Sequence, residues 1–568
     1  MHYDLVVRDG TVVDGSGLAS YRADVGIVGG RIAAIGRIRE NAERTLDAEG
    51  HVVAPGFIDG HTHMDAQICW DPLGTCSCWH GVTSVVMGNC GFTLAPSRRD
   101  ERHLVVRNLE RAEDISADAM AAGIDWQWET FSEYLDTVER LPKGINYAGY
   151  VGHSALRTFA MGERAFEEPG TDADQERMER ELCDALGAGA LGFTTSRTRN
   201  HQTSDDRPVA SRLADWDEVR RLVCAMGRMG TGIFEIANED LARVDPEARS
   251  EYFGRLTELS IESGRPVTWG IGSSRHTPGA WRPWVNLLDE ASDRGARMFA
   301  QVHSREFAVV LSFRANLPYD QLPVWKELRR LPLEEQRARL RDPGLLQRLV
   351  ESANTSDYGR AIGAEARKPD YDWLFPLDSI EGPRRSVAEV ARERGADPAQ
   401  TFLELALESD LERFFLQPFA NENLDEVLEI MQHPRTVVTF SDSGAHVSQI
   451  MDSSIPTHVL SYWVRERQAL HLEEAVRMLS FEPASAWGFA DRGLIREGFA
   501  ADLVVFDPDR VAPAMPEVDT DLPGGARRLK QGATGIRATV VNGEPLLSDG
   551  EHTGALPGRL LRGPLAQR

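Results

Sequence analysis

The chain has 568 residues, is 42% hydrophobic and 27% charged, and carries a formal net charge of −25 from 88 acidic and 63 basic residues. That length calls for a large barrel or two to three units rather than one ordinary domain. The acidic balance excludes bulk binding to nucleic acid or to an anionic membrane surface, while leaving room for a local basic pocket.

The opening stretch, MHYDLVVRDGTVVDG, is an alternating strand pattern with turn residues, unlike the charged head and apolar core of a secretory leader. No run of about 18 apolar residues occurs, so no transmembrane helix is expected. Cys69, Cys76, Cys78, Cys90, Cys183 and Cys224 have no framework-like spacing. The expectation is a cytoplasmic protein with reduced thiols, acting on a small molecule, with neither nucleic-acid nor membrane partners. An open sheet edge would also suit a homo-oligomer.

Residues 1–54 read as short strands with tight turns, as in ADVGIVGGRIAAIG and RTLDAEGHVVAPG. ADLVVFDPDRV (501–511) and GIRATVVNGEPLLSDGEHT (535–553) have the same texture. The two ends therefore read as halves of one β unit, 1–54 and 490–568, with a barrel over 55–489 inserted between them. Within the middle, apolar runs at 53–63, 82–90, 146–153, 190–196, 232–237, 266–271, 297–304 and 436–442 are mostly separated by amphipathic stretches such as WDEVRRLVCAMGRMG. Eight β/α repeats predict a closed parallel barrel, whose active site lies at the C-terminal strand ends. Residues from about 308 to 420, charged and helical and then rich in proline and acid, predict a small helical insertion before the last strand, at the barrel mouth. The fold class is thus α/β: a (β/α)8 TIM-like barrel plus a β-sandwich built from both chain ends.

The polar residues ending these runs carry the chemistry. His61 and His63, at i and i+2 of the first run, project to one side and suit a borderline cation such as Zn²⁺. Cys90 ends the second run within GNCGF, where glycines shape the backbone for close approach, and thiolate also binds zinc. Asp442 ends the eighth run in FSDSGAH, where a carboxylate can touch the same metal and take a proton from water. His153 ends the third run. Arg197, Arg199 and His201 lie in the polar loop after the fourth, where arginine can grip a substrate carboxylate or simply pair with Asp205 and Asp206. His303 ends the seventh run, and His446 follows Asp442. We read His153, Arg197, Arg199, His201, His303 and His446 as substrate-binding candidates. Cys69, Cys76 and Cys78 lie close together, but core packing suits their spacing better than a structural zinc site.

Together PGFIDGHTHMD, GVTSVVMGNCGF, YVGHSALR, FSDSGAH, ADLVVFDP and HTGALPGRLLRG span nearly the whole chain. The chain resembles the amidohydrolase superfamily, and within it the D-aminoacylase (N-acyl-D-amino-acid deacylase) branch. The resemblance implies a β-sandwich with a (β/α)8 barrel, a small insertion before the last strand, zinc, and hydrolysis of an N-acyl amide. It implies His61, His63 and Cys90 as metal ligands and Asp442 as the acid/base. It also implies metal-binding histidines at the ends of the fifth and sixth strands, and there the chain departs. The fifth run reads GIFEIANED, with Glu235 about where a histidine is expected, and the sixth, PVTWGIGSSRH, has no histidine before His276.

Three readings follow. Glu235 is itself a ligand, so that a set of His61, His63, Cys90 or Glu235, and Asp442 holds one zinc ion; His303 or His276 leans in from a neighbouring strand; or no metal binds tightly. The functional expectation is a metal-dependent hydrolase of linear N-acyl amides. The alternatives are a repurposed site acting on a cyclic amide or another bulky C–N substrate, aided by Trp281, Trp284, Trp325 and Trp373, and a non-catalytic binding module.

Overall fold

The computed structural model describes residues 2–362, 365–380 and 382–566. Its centre is a barrel of parallel strands: Phe57–Asp59, Val82–Met87, Asn146–Gly149 continuing into Val151–Gly152, Gly192–Ser196, Ile233–Ala237, Val267–Ile271, Met298–Val302 and Thr436–Val438. Each predicted apolar run contains one of these strands. Neighbours pair in register, for example Thr194 with Glu235 and Glu235 with Thr268. The barrel closes between its first and eighth strands through the parallel bridge of Thr62 to Ser443.

Local sequence explains the helices that wrap it. Trp216–Met229 is capped by Asp215, whose carboxylate accepts the Glu218 N–H, and it ends on left-handed Gly230. Its buried Val219, Leu222, Val223 and Met226 follow the 3.6-residue period and face the strands. The barrel interior is filled by Val86, Ala148, Tyr150, Ile233, Val437 and Trp487. Trp487 donates its indole N–H to the Tyr150 hydroxyl at 2.7 Å. A Cβ on Gly60 would lie 2.3 Å from the Trp487 ring, which is why the first strand needs glycine just before His61.

The chain ends form a nine-stranded sheet. The N-terminal strands Tyr3–Val12 to Val52–Pro55 join the C-terminal strands Leu503–Phe506 to Glu551–His552 where Val52–Pro55 pairs antiparallel with Leu503–Phe506. The sheet folds over a core of Leu5, Val7, Val25, Ile27, Val53, Leu503, Val505 and Val540. A feature absent from the sequence reading is the ribbon of Ala512–Leu522 and Ala526–Thr534, which reaches from this unit across the barrel. Its Leu529 N–H donates to Val447 O at 2.7 Å, and Arg528 pairs with Asp71 at 3.1 Å, bracing the loops after the eighth and first strands.

The segment expected as an insertion includes residues 363, 364 and 381, which lie outside the described residues. Around them stand an antiparallel sheet of Phe307–Leu311, Phe414–Ala420 and Phe375–Leu377 and several helices. They share their own core of Phe313, Tyr319, Trp325, Leu349, Phe402 and Phe415. Arg111, outside the insertion, ties it down by bonding Glu365 at 2.8 Å, and it also pairs with Asp206 of the loop after the fourth strand at 2.5 Å. Among the described residues no helix is long and apolar enough to cross a membrane.

Candidate active site

The His-Thr-His segment is clamped from both sides. Thr62 N–H donates to Val86 O of the second strand at 3.0 Å, and His63 N–H donates to Ser443 O at 2.8 Å beyond the eighth. Asp442 N–H donates back to His61 O at 3.2 Å. These bonds fix the register of the closing seam and aim both imidazoles at the mouth. The eighth strand reaches them by a kinked path in which Phe440 (φ 83°), Asp442 (φ 51°) and Gly444 (φ 94°) are left-handed. Such φ values are rare outside glycine and mark a backbone held by its surroundings. A Cβ on Gly444 would lie 2.5 Å from His63 O, so the glycine of SDSGAH lets the two chains pass.

The turn carrying Cys90 is built the same way. Gly88, Cys90 and Gly91 all have positive φ. Asp65 accepts the Gly88 N–H at 3.0 Å, Asn89 donates to Thr62 O and Val86 O, and Thr194 accepts the Gly91 N–H. Glu235 accepts the Cys90 N–H at 2.8 Å. As a result Cys90 Sγ sits 3.6 Å from His61 Nε2, and one ligand atom each from His61, His63 and Cys90 fall within 4.8 Å of one another. Asp442 Oδ1 is 3.2 Å from His61 Nε2 and 3.5 Å from His63 Nε2.

Two residues here escaped the sequence reading. Gln301, on the seventh strand, bonds His61 Nδ1 through its Oε1 and donates its amide N–H to Thr268 at 3.2 Å. That fixes the His61 proton on Nδ1 and leaves Nε2 free to act as a ligand. Glu113, in the loop before the third strand, places Oε2 3.5 Å from His63 Nε2 and 3.7 Å from His446 Nε2. In sequence it sits within the charged stretch RNLERAEDIS, with nothing to separate it from solvent-facing neighbours. Gln301 had one available signal, a polar residue inside the apolar run MFAQV.

The electrostatics are those of an acidic, desolvated pocket. Burial works against charge on His61, but the nearby Asp442 carboxylate, with Glu235, outweighs it and raises its pKa. Burial dominates at His63, pushing it down to about 4. Burial works against charge on Asp442, but the two imidazoles beside it outweigh that and hold its carboxyl far below the usual carboxylate range. Glu235 is pushed up to about 7 by burial, against the pull of His61. Burial and the charges of Asp442, Asp65 and Glu235 raise Glu113 well above its ordinary value. Burial and the nearby carboxylates likewise raise the Cys90 thiol.

These residues fit a divalent cation. Buried His63 Nδ1, Glu113 Oε1 and Asp442 Oδ1 have no hydrogen-bond partner, although an unsatisfied buried polar atom costs about 1–3 kcal/mol. Ligands around a tetrahedral zinc ion, with bonds of about 2.1 Å to nitrogen or oxygen and about 2.3 Å to sulfur, stand roughly 3.4–3.6 Å apart. The spacings of Cys90 to His61 and of Asp442 to His63 match that figure.

The remaining expected residues divide. His201 is half-buried in the mouth, its Nδ1 on Ser196 Oγ at 2.7 Å and its ring 5.0 Å from that of Phe92. Burial, with His63 and His446 nearby, pushes it down to about 3. His446 stands beside Glu113. The expectation that His153 meets substrate is corrected: both ring nitrogens are taken, by Thr195 and by Glu218, each at 2.8 Å, in a fully buried cluster with Arg157. Arg197 is turned to Glu239 at 3.2 Å and to the Ala214 carbonyl, so it too is tied to protein rather than free for substrate. Arg199 is exposed at the rim. His303 bends away, with Nδ1 on Arg305 O at 2.9 Å and Nε2 3.4 Å from Asp452. His276 is exposed in a turn. Neither stands in the cluster of His61, His63 and Cys90, whereas Glu235 adjoins it through its bond to the Cys90 N–H. Trp281, Trp284 and Trp325 are buried packing residues, and Trp373 lies under the Arg275 guanidinium. Cys76 and Cys78 are buried and, like the other four cysteines, free of disulfides.

The amidohydrolase family profile matches residues 44–547. N-acyl-D-glutamate deacylase from Alcaligenes xylosoxydans xylosoxydans is 30% identical over 568 residues, 98% of this chain and 96% of that protein. D-aminoacylase from the same organism is 28% identical over 583 residues, 98% of this chain and 97% of that protein. The solved N-acyl-D-glutamate deacylase of Bordetella bronchiseptica, in complex with zinc and a phosphonate mimic of the tetrahedral intermediate, superposes with a TM-score of 0.66 at 25% identity, covering 99% of this chain and 100% of that one.

Proposed function

The chain belongs to the amidohydrolase family, and from that premise we propose that it is a metal-dependent hydrolase cleaving the amide C–N bond of an N-acyl-D-amino acid or a similar linear N-acyl compound. The observation that carries the reading is the position of Asp442. One of its carboxylate oxygens stands within 3.5 Å of both His61 and His63 and has no hydrogen-bond partner, while the side chain keeps 21% of its surface exposed at the mouth.

In this reading His61, His63, Cys90, Glu235 and Asp442 hold one divalent cation, with zinc the best match to a nitrogen, sulfur and oxygen donor set. Such a cation, when bound, supplies Lewis acidity and makes a water molecule more acidic. Asp442 takes a proton from the attacking water and returns it to the departing amine, so that the acyl carbon gains oxygen as its bond to nitrogen breaks. Gln301 holds His61 in the tautomer that presents Nε2. His201 and His446 line the approach.

A basic rim receives the substrate carboxylate. Arg212 donates to His201 O at 3.0 Å. Burial lowers its pKa, Asp240 opposes, and the neighbouring Arg360, Arg199 and Arg197 lower it further. An incoming carboxylate relieves that crowding of like charges.

The test pairs activity with metal content. Purified protein is assayed against D- and L-isomers of N-acyl amino acids before and after removal of metal by a chelator, with metal measured by mass spectrometry. Turnover of a D-isomer that disappears on stripping and returns with Zn²⁺ is expected. Inactivity of the metal-replete protein on every N-acyl compound sinks the substrate claim, and full activity after stripping sinks the metal claim.

A further inference from the structure

We propose that the cleft between the insertion and the ribbon, faced by Lys326, Arg330 and Arg527, binds a phosphate monoester carried on a small apolar or aryl body. The proposal stands apart from the hydrolytic reading above, because none of the residues placed in the metal cluster or on the basic rim lines this cleft.

The cleft has a volume of about 550 Å³, and small-molecule sites span about 300–1,000 Å³. One wall is the helix Pro323–Arg329 with the turn after it, and the other is the ribbon of Ala512–Leu522 and Ala526–Thr534. Lys326 and Arg330, four positions apart, share one face of the helical wall. Both are exposed, and among the described residues neither side chain has a hydrogen bond or ion pair. Arg527 lines the cleft from the ribbon, its guanidinium donating to the Arg314 carbonyl at 2.8 Å. Burial and the neighbouring Arg329 lower its pKa, against the pull of Asp320.

These charges are not cancelled locally, although the whole chain carries −25. Among the described residues Asp320 is the one acid lining the cleft, and it is spent on Arg329 at 2.7 Å and on the Leu317 N–H at 2.9 Å. Arg314, also in the lining, is paired with Glu412 at 2.8 Å. The ribbon turns its own acids away. Val518 and Thr520 line the cleft, whereas Asp519 and Asp521, at the alternate positions, pair with Lys530 and Arg528. Lys326, Arg330 and Arg527 therefore keep three positive charges facing one space. A phosphate monoester brings a charge of about −1.5 to −2 and three acceptor oxygens, which suits guanidinium forks and an ammonium together. Phe313, Leu331 and Val518 beside them supply apolar surface for the ester group.

Both walls hold the same loop after the eighth strand. From the ribbon, Leu529 N–H donates to Val447 O at 2.7 Å. From the insertion, Val310 N–H donates to Gln449 O at 2.7 Å and the Asn316 amide donates to Ser448 Oγ at 2.7 Å. A ligand that bridges the walls thereby restrains residues 447–449, next to His446.

Phenyl phosphate is titrated into the protein by calorimetry, with inorganic phosphate as the anion alone. One equivalent of phenyl phosphate should bind, more tightly than inorganic phosphate. Lys326→Gln with Arg330→Gln changes two exposed side chains without threatening the fold, and should weaken binding about tenfold for each cation lost. Arg212→Gln, at the barrel mouth, should bind as wild type does. Hydrogen exchange at the Val310 and Leu529 amides should slow on binding in wild type and not in the double variant. No binding by wild type, or equal binding by wild type and the double variant, overturns the proposal. Binding lost in Arg212→Gln places the anion at the mouth and overturns it as well. Inorganic phosphate binding as tightly as the ester overturns the apolar half of the site, and unchanged exchange at both amides overturns the link to the loop.

Discussion

Glu235 reaches across the barrel mouth to accept the backbone N–H of Cys90 at 2.8 Å. One carboxylate therefore does two jobs: its Oε2 fixes the turn that presents the thiol, and its charge faces His61. The carboxylate at the end of the fifth strand is thus built into the framework of the site.

Replacing Glu235 should separate those jobs. Glu235→Ala strands the buried Cys90 N–H and is expected to cost about 1–3 kcal/mol of stability, with loss of metal. Glu235→Gln keeps an acceptor and should fold nearly as well, yet bind metal at least tenfold more weakly. Urea unfolding of the stripped proteins and metal titration read the two effects; equal metal affinity in wild type and Glu235→Gln would remove Glu235 from the ligand set.

Asp442→Asn should fold, because asparagine accepts the left-handed backbone held at φ 51°. It loses the proton acceptor, and kcat is expected to fall by about 10²–10⁴-fold with KM changed much less. A variant with kcat near wild type would assign the proton transfer elsewhere.

The buried His153–Glu218–Arg157 cluster gives a pH signature away from the mouth. Burial alone would raise the Glu218 pKa, but the bonds and charges of His153 and Arg157 bring it down to about 2. A carboxylate depressed in the folded state contributes stability that is fully present above its unfolded value, about 4.3, and is lost as pH falls toward 2. Glu218→Gln should therefore cost about 3–5 kcal/mol at pH 7, since it leaves buried Arg157 uncompensated. The gap to wild type should narrow as pH drops below about 4. Urea unfolding from pH 7 to 3 checks this; a pH-independent gap argues that the pair is not ionised. His153→Asn should lower Tm while leaving KM of the folded enzyme unchanged.

Arg111 latches the insertion to the barrel through Glu365 and is itself held by Asp206 of the loop after the fourth strand. Half-exposed pairs of this kind contribute about 1 kcal/mol or less each. Arg111→Ala should loosen the mouth, raising KM several-fold while Tm shifts by only a few degrees. Unchanged KM would show that this latch does not govern access.

Gly60→Ala drives a methyl group into Trp487, with contact at 2.3 Å before relaxation. Overpacking of this kind costs about 1–3 kcal/mol. Because Gly60 adjoins His61, reduced metal content should accompany the lower Tm. Gly60→Ala combined with Trp487→Phe should recover part of both; no recovery would mean that the ring is not the obstacle.

Much of this architecture was legible from residue order alone. Strand alternation, helix period and turn residues are local properties, so the eight barrel strands could be counted, and the motifs at their ends placed His61, His63, Cys90 and Asp442 on one rim. The pairing of the two chain ends was legible for the same reason, since both showed the texture of short strands. Other features depend on contacts between residues far apart in sequence. Glu113 faces His63 and His446 only because its loop meets the one after the eighth strand, more than 300 positions later. His153 and His303 end strands as a site residue should, yet Glu218, on a distant segment, takes His153 Nε2, and the Arg305 carbonyl turns His303 aside through its Nδ1. The ribbon across Val447 and Asp71 and the Gln301 bond to His61 belong to the same class. The sequence by itself determined the barrel and the rim on which chemistry can occur. Only the tertiary structure decided which polar residues on that rim were left unpaired, because a buried side chain is free to bind a cation or substrate only when no neighbour has already satisfied it.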